Sequence, residues 1–220
     1  MKKIISISLL AGTLCISCGE QSQLSDGFGN TEKSSDVAPA LTPDQYVKWV
    51  KNDAKLLLKK TQLGAFSYSV IYKPVDLIIY NENGNEVPNL KIYNSKKSEL
   101  QGMEYFDLHI ESRESNGELL KINCPDSKNY DERVQYCSFG MQQDIKAIVG
   151  KDTVDCALYH FERMFDTAPR ATFLLGFPSG AFKNKFDDIT ILYHDHLFNN
   201  GIVKFRFSKQ ELAGIPQLKI

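Results

Sequence analysis

The segment Ala171–Phe177 (Ala-Thr-Phe-Leu-Leu-Gly-Phe) constrains the fold more than any other. It is nearly all apolar and is closed by the turn residues Pro178-Ser179-Gly180, so it reads as a central strand covered on both faces. Such a strand needs partners, and several stretches around it alternate with the period of two that marks a half-buried strand. Phe66, Tyr68, Val70 and Tyr72 alternate with Ser67, Ser69 and Ile71 up to Pro74. Phe106, Leu108 and Ile110 alternate with Asp107, His109 and Glu111, and Leu119 to Asn123 would return as a partner strand after the turn Glu114 to Gly117. Val154, Cys156, Leu158 and His160 share one face of a further strand. Ile189 to Tyr193 and Ile202 to Phe207 form a last hairpin closed near Asn199-Asn200-Gly201, with Val203, Phe205 and Phe207 pointing inward.

Helices punctuate this pattern. Thr42-Pro43-Asp44-Gln45 places Thr at an N-cap, Pro at the first helical position and Gln three residues after the cap. Tyr46, Trp49, Val50, Ala54, Leu57 and Leu58 then form one apolar stripe, lysines fill much of the remainder, and Gly64 fits a stop beyond the helix. Asn83-Gly84 signals a hairpin, yet Lys73-Pro74-Val75-Asp76 equally suits a helix start. Residues 95–101 look helical, and a short helix follows the polar loop around Asp126 to Asp131. The expected fold is α+β: a single domain with a mainly antiparallel sheet, packed with the N-terminal amphipathic helix and one or two further helices.

The first eighteen residues read as a lipoprotein signal. Lys2 and Lys3 precede the apolar run Ile4 to Leu14, which is too short to cross a hydrocarbon core needing ~20 helical residues. The small Ser17 then precedes Cys18, the expected lipidation site. Cys15 stands where an apolar residue is usual, and bulky Leu14 before it makes Cys15 the poorer acceptor. Residues 18–41 are polar and aperiodic, a disordered tether spanning on the order of 25 Å. The expected organisation is therefore signal 1–17, tether 18–41 and globular domain 42–220.

Charge excludes one class of partner. The net charge is −1 over the chain, and loss of Lys2 and Lys3 with the signal makes it two units more negative, so no basic footprint for nucleic acid exists. Three cysteines belong to the domain. Cys124 and Cys137 are the candidate disulfide; the alternative is three buried apolar thiols, which Cys156 fits well.

Two constellations suggest chemistry. In His194-Asp195-His196, residues two apart in a strand point the same way, so both imidazoles could face one metal; the sequence names no third ligand. His160, followed by Glu162 and Arg163, could be an oriented acid/base group or an ordinary strand end where Glu162 and Arg163 pair. No Walker loop, dinucleotide fingerprint, zinc-protease helix motif or calcium loop occurs, and no cofactor is expected.

The lipobox and polar tether, Pro43-Asp44-Gln45-Tyr46-Val47-Lys48-Trp49-Val50, Tyr72-Lys73-Pro74, Ala157 to Arg163 and the ending Gly214 to Ile220 together resemble a set of uncharacterised Bacteroidota lipoproteins. The resemblance implies an outer-membrane or periplasmic lipoprotein and no catalytic activity. In such a bacterium, Asp152-Thr153-Val154 and Asp166-Thr167-Ala168 would be O-glycosylation sites at Thr153 and Thr167. The functional expectation is a non-catalytic envelope module, held to the membrane by its N-terminal lipid and binding another envelope protein or a surface ligand. The alternative is an envelope hydrolase with a His-based or metal site.

Overall fold

The computed structural model describes residues 39–163, 168–182 and 187–220, all within the unit Asp36–Ile220. The signal, Cys18 and most of the tether lie outside the described residues, as does Thr167. Among the described residues, eleven strands and five α-helices give an α+β fold in a single domain.

Five strands form the larger sheet, in the order β2 (Leu58–Leu63), β3 (Phe66–Lys73), β4 (Met103–Ser112), β8 (Arg170–Pro178), β7 (Leu158–Glu162). Four form the smaller one, in the order β10 (Gly201–Phe207), β9 (Ile189–Asp195), β5 (Ile145–Val149), β6 (Asp152–Asp155). Every pairing within these two sheets is antiparallel. The single expected sheet is thus two, with their apolar faces meeting in one core. Phe106 lies 5.7 Å from Phe207 and Tyr68 6.5 Å from Tyr193 between ring centroids, each pair reaching from one sheet to the other. β8 sits between β4 and β7, and Ala171, Phe173, Leu175 and Phe177 on its inner face are all buried. On its outer face Thr172 is also buried and Leu174 half-buried. That double coverage is why the segment is continuously apolar.

Helix α1 (Pro43–Asn52) starts where the cap residues place it: Gln45 Oε1 accepts from the Thr42 backbone N–H and hydroxyl, each at 3.0 Å. It is shorter than the apolar stripe suggests. A 3₁₀ turn over Ala54–Leu57 buries Leu57, and β2 begins at Leu58, which is exposed. Lys59 and Lys60, which resemble a helix's solvated face, lie on a strand instead. Pairing of Leu58–Leu63 with Ile71–Phe66 outweighs the helical preference, and Gly64 turns the hairpin. With a φ of +56° at the first position of a two-residue loop, it matches the glycine of a type II′ turn.

At Pro74 the helix signal prevails over the hairpin signal. Helix α2 (Val75–Glu82) follows β3 directly, and Asn83-Gly84 ends it rather than joining strands. Helix α3 spans Leu90–Leu100, capped by the Asn89 side chain on the Ile92 N–H at 3.0 Å. These helices and α1 enclose a second, smaller cluster of Tyr46, Leu57, Leu77, Ile79, Tyr80, Tyr93 and Leu218. Leu218 belongs to β11 (Gln217–Leu218), which pairs in parallel with β1 (Ala40–Leu41). The tether's last two residues are therefore part of the folded unit. Buried Asp76 locks the arrangement by accepting from the Tyr93 hydroxyl at 2.9 Å and the Leu218 N–H at 2.7 Å.

Three further expectations are corrected. Leu119 to Asn123 is not a partner strand. β4 already has β3 and β8 on its two sides, and Leu119 and Leu120 enter the core from a 3₁₀ turn. The run from Val154 to His160 is two strands in different sheets, β6 and β7. Side-chain parity changes at the crossover, so Val154 and Cys156 are buried while Leu158 and His160 face outward. The candidate Cys124–Cys137 disulfide is not formed, and Cys124, Cys137 and Cys156 are free thiols, as in the alternative reading. Cys137 is wholly buried in the main core, where burial pushes its thiol pKa up to about 12. Cys124 is half-buried, its thiol donating to the Asp126 carbonyl at 3.4 Å.

The remaining helices are α4 (Ser127–Gln135), capped by Asp126 on the Asn129 N–H at 2.9 Å, and α5 (Lys209–Ala213), which Ser208 and Glu211 cap reciprocally. Among the described residues no helix is long and apolar enough to cross a membrane.

Candidate functional site

The end of β9 concentrates the polar chemistry of the domain. Strand alternation turns Ile191, Tyr193 and Asp195 inward and leaves His194 and His196 outside. An inward carboxylate must be matched by donors, because an unpaired buried charge is costly. Asp195, 1% exposed, is surrounded by them. Its Oδ1 accepts from the Tyr193 hydroxyl at 3.1 Å and from the backbone N–H groups of Leu197 and Phe198, each at 3.0 Å. Its Oδ2 accepts from the Tyr68 hydroxyl at 2.6 Å, the Asn200 N–H at 3.2 Å and the Asn200 side-chain amide at 3.0 Å. Tyr68 comes from the larger sheet, so one carboxylate ties both sheets to the β9–β10 connection. Burial first, then the bond to Asp195, raises the Tyr68 pKa, which keeps the hydroxyl a donor.

That anchoring shapes the outer side. The His196 N–H donates to the His194 carbonyl at 3.0 Å, closing a tight turn centred on Asp195. The two imidazoles converge, their ring centroids 3.9 Å apart and their planes tilted by 47°. A carboxylate meets them there. His196 Nε2 lies 3.4 Å from Asp144 Oδ1, and one donor atom from each of Asp144, His194 and His196 falls within 4.8 Å of the others. The other Asp144 oxygen, Oδ2, accepts from the Tyr136 hydroxyl at 2.8 Å.

Asp144 is the residue that sequence reasoning missed. It lies about fifty positions before the histidines, and only strand register joins them. β5 pairs with β9 so that Ile145 stands opposite Tyr193; one step further places Asp144 beside His194. A polar residue just before a strand gives no sign of this in a single sequence.

The second constellation does not assemble with the first. His160 and Glu162 lie exposed on β7, at an edge of the larger sheet, while His194 and His196 belong to the smaller sheet. Arg163 does not take Glu162 as its carboxylate. Its Nε lies 3.6 Å from Glu118 Oε1, and its guanidinium donates to the Tyr130 hydroxyl. His160 instead rims an apolar groove of about 380 Å³ on the outer face of the larger sheet, with Ile78, Leu100, Tyr105, Leu158 and Leu174 among its walls. Tyr105 lines this groove, whereas Tyr46 and Tyr68 are core residues. A second cavity of about 320 Å³, bordered by Asp76, Lys97 and Glu104, opens between α3 and the C-terminal segment. Thr153 is exposed on β6.

No protein-family model matches this chain, nor does any curated protein. Among solved structures it is similar to a novel protein of unknown function from Burkholderia pseudomallei K96243, at 12% identity and a TM-score of 0.36, covering 79% of this chain and 93% of that one. At that TM-score the likeness says nothing about fold or activity.

Proposed function

We propose that this protein is a membrane-anchored cell-envelope lipoprotein whose folded domain acts as a non-catalytic binding module. The observation that carries the reading is the order of features along the chain. Two lysines, an eleven-residue apolar run and Ser17-Cys18 are followed by a polar tract and then by the alternating and capped segments of the folded domain. More than one acyl chain on Cys18 would give a stable anchor, since each buried CH₂ contributes ~0.8 kcal/mol. The apolar groove beside Leu158 supports the binding part, because an exposed concave apolar surface is the usual form of a ligand or partner site.

Metabolic labelling with an alkyne palmitate analogue in a lipoprotein-processing bacterium tests the anchor. The label and membrane fractionation should both be lost in Cys18→Ala and kept in Cys15→Ala. Label persisting in Cys18→Ala would remove the reading. For the binding part, a photo-crosslinking residue at position 158 should give a reproducible adduct in whole cells, and recovery of the free chain alone would count against it.

The envelope hydrolase is a second reading, favoured by the meeting of Asp144 with His194 and His196. It requires turnover of chromogenic esters or phosphoesters that is lost in His194→Ala. Absence of turnover with and without added zinc removes it.

A further inference from the structure

We propose that Asp144, His194 and His196 form a binding site for a late first-row divalent cation, with zinc as its ion. Two imidazoles and one carboxylate are a donor set that suits zinc and its neighbours, whereas calcium and magnesium favour all-oxygen sites. The spacing is close to what coordination needs. Tetrahedral zinc with ~2.0–2.1 Å bonds separates its ligand atoms by roughly 3.3 Å. Asp144 Oδ1 and His196 Nε2 already stand 3.4 Å apart, and the whole triad lies within 4.8 Å. Side-chain rotations at the two exposed histidines close the remaining gap.

The surroundings hold the ligands in place from behind, as outer partners do in metal sites. Tyr136 occupies Asp144 Oδ2 and leaves Oδ1 facing His196. Asp195, buried and bonded to six donor groups, fixes the backbone from which both imidazoles project. The His196 side chain is 49% exposed, so an ion reaches the site directly from solvent. Three protein ligands leave a fourth position for water or for a donor group of another molecule. The bound ion would clip the turn preceding β5 to the end of β9.

The test is a calorimetric titration of the full-length chain in detergent, stripped of metal, with zinc chloride, repeated with magnesium chloride. One saturable zinc site per chain is expected, with no saturable magnesium heat. His194→Ala combined with His196→Ala should abolish it, and Asp144→Asn should weaken it at least tenfold. Tyr136→Phe removes no ligand and should weaken it by roughly tenfold through the lost orientation of Asp144. Cobalt added in place of zinc should give visible absorption that disappears in the double histidine variant. Because both histidines are exposed, that variant should keep the parent's unfolding midpoint, so the answer does not depend on Asp144→Asn folding. No saturable zinc heat up to millimolar concentration, or full-affinity binding that survives loss of both histidines, would overturn the proposal. The result is independent of the palmitate labelling, so failure of one reading leaves the other standing.

Discussion

Replacing Asp195 probes the strongest structural feature of the domain, the carboxylate that joins both sheets. Asp195→Ala deprives the hydroxyls of Tyr68 and Tyr193, the amides of Leu197, Phe198 and Asn200, and the Asn200 side chain of their acceptor. A buried donor left without a partner costs about 1–3 kcal/mol. The six do not add. The Asn200 side chain still donates to the Tyr68 hydroxyl at 2.7 Å, and the half-buried Phe198 and Asn200 can turn their amides towards water. Tyr68, Tyr193 and Leu197 are buried and keep the penalty. With the vacated volume added, the expected loss is about 3–5 kcal/mol, a large part of a typical domain stability of ~5–15 kcal/mol. Asp195→Asn preserves shape and one acceptor oxygen but sets an amide NH₂ against three inward donors, so it should cost about 2–3 kcal/mol. Urea unfolding followed by circular dichroism and Trp49 fluorescence measures both. At a slope of ~2 kcal/mol/M, Asp195→Ala should lower the midpoint by roughly 2 M. A loss under about 1 kcal/mol in Asp195→Ala would refute the assignment of this carboxylate as the tie between the sheets.

Two further outcomes test the packing and the electrostatics. Gly176 faces Leu158 across the β8–β7 pair, where an added Cβ would lie 2.9 Å from Leu158 Cβ and 3.1 Å from Met103 Cε. Gly176→Ala should therefore cost about 1–3 kcal/mol and lower Tm by several degrees; an unchanged Tm in a thermal scan would show that β7 gives way freely. His109 is half-buried on β4, its Nδ1 3.0 Å from the Thr172 hydroxyl, and burial holds its pKa below the ordinary imidazole value. The folded state therefore takes up its proton at lower pH than the unfolded chain. The stability this group contributes is present above pH ~6.5 and is lost as pH falls through the depressed folded-state value. Between pH 7.5 and 5 the urea midpoint should fall less in His109→Gln than in the parent, and equal falls would contradict the assignment.

What was legible in the sequence is what a segment's own burial writes into it. β8 shows as a continuous apolar run because both its faces are covered, and β3, β4, β9 and β10 show as alternation because one face of each is the core. The start of α1 shows because its capping residues act within one turn. Leu57-Leu58 fits a helical stripe equally well, and the fit fails because β2 must reach β3. The turn to solvent after Cys156 was illegible for a related reason: the chain leaves one sheet for the other there, and periodicity holds no record of a change of partner. His194 and His196 were readable as a pair from their spacing alone. Their carboxylate was not.

The sequence by itself determined the α+β class, the strands with a buried face, the capped start of the first helix and the two histidines that share a side. The tertiary structure alone decided that the strands divide into two facing sheets, that Asp195 turns inward to bind both of them, and that Asp144 joins the histidines. The physical reason is range. Capping and alternation are set by residues a few positions apart, whereas the β5–β9 register brings Asp144 to His194 through backbone hydrogen bonds that any pair of apolar strands could form.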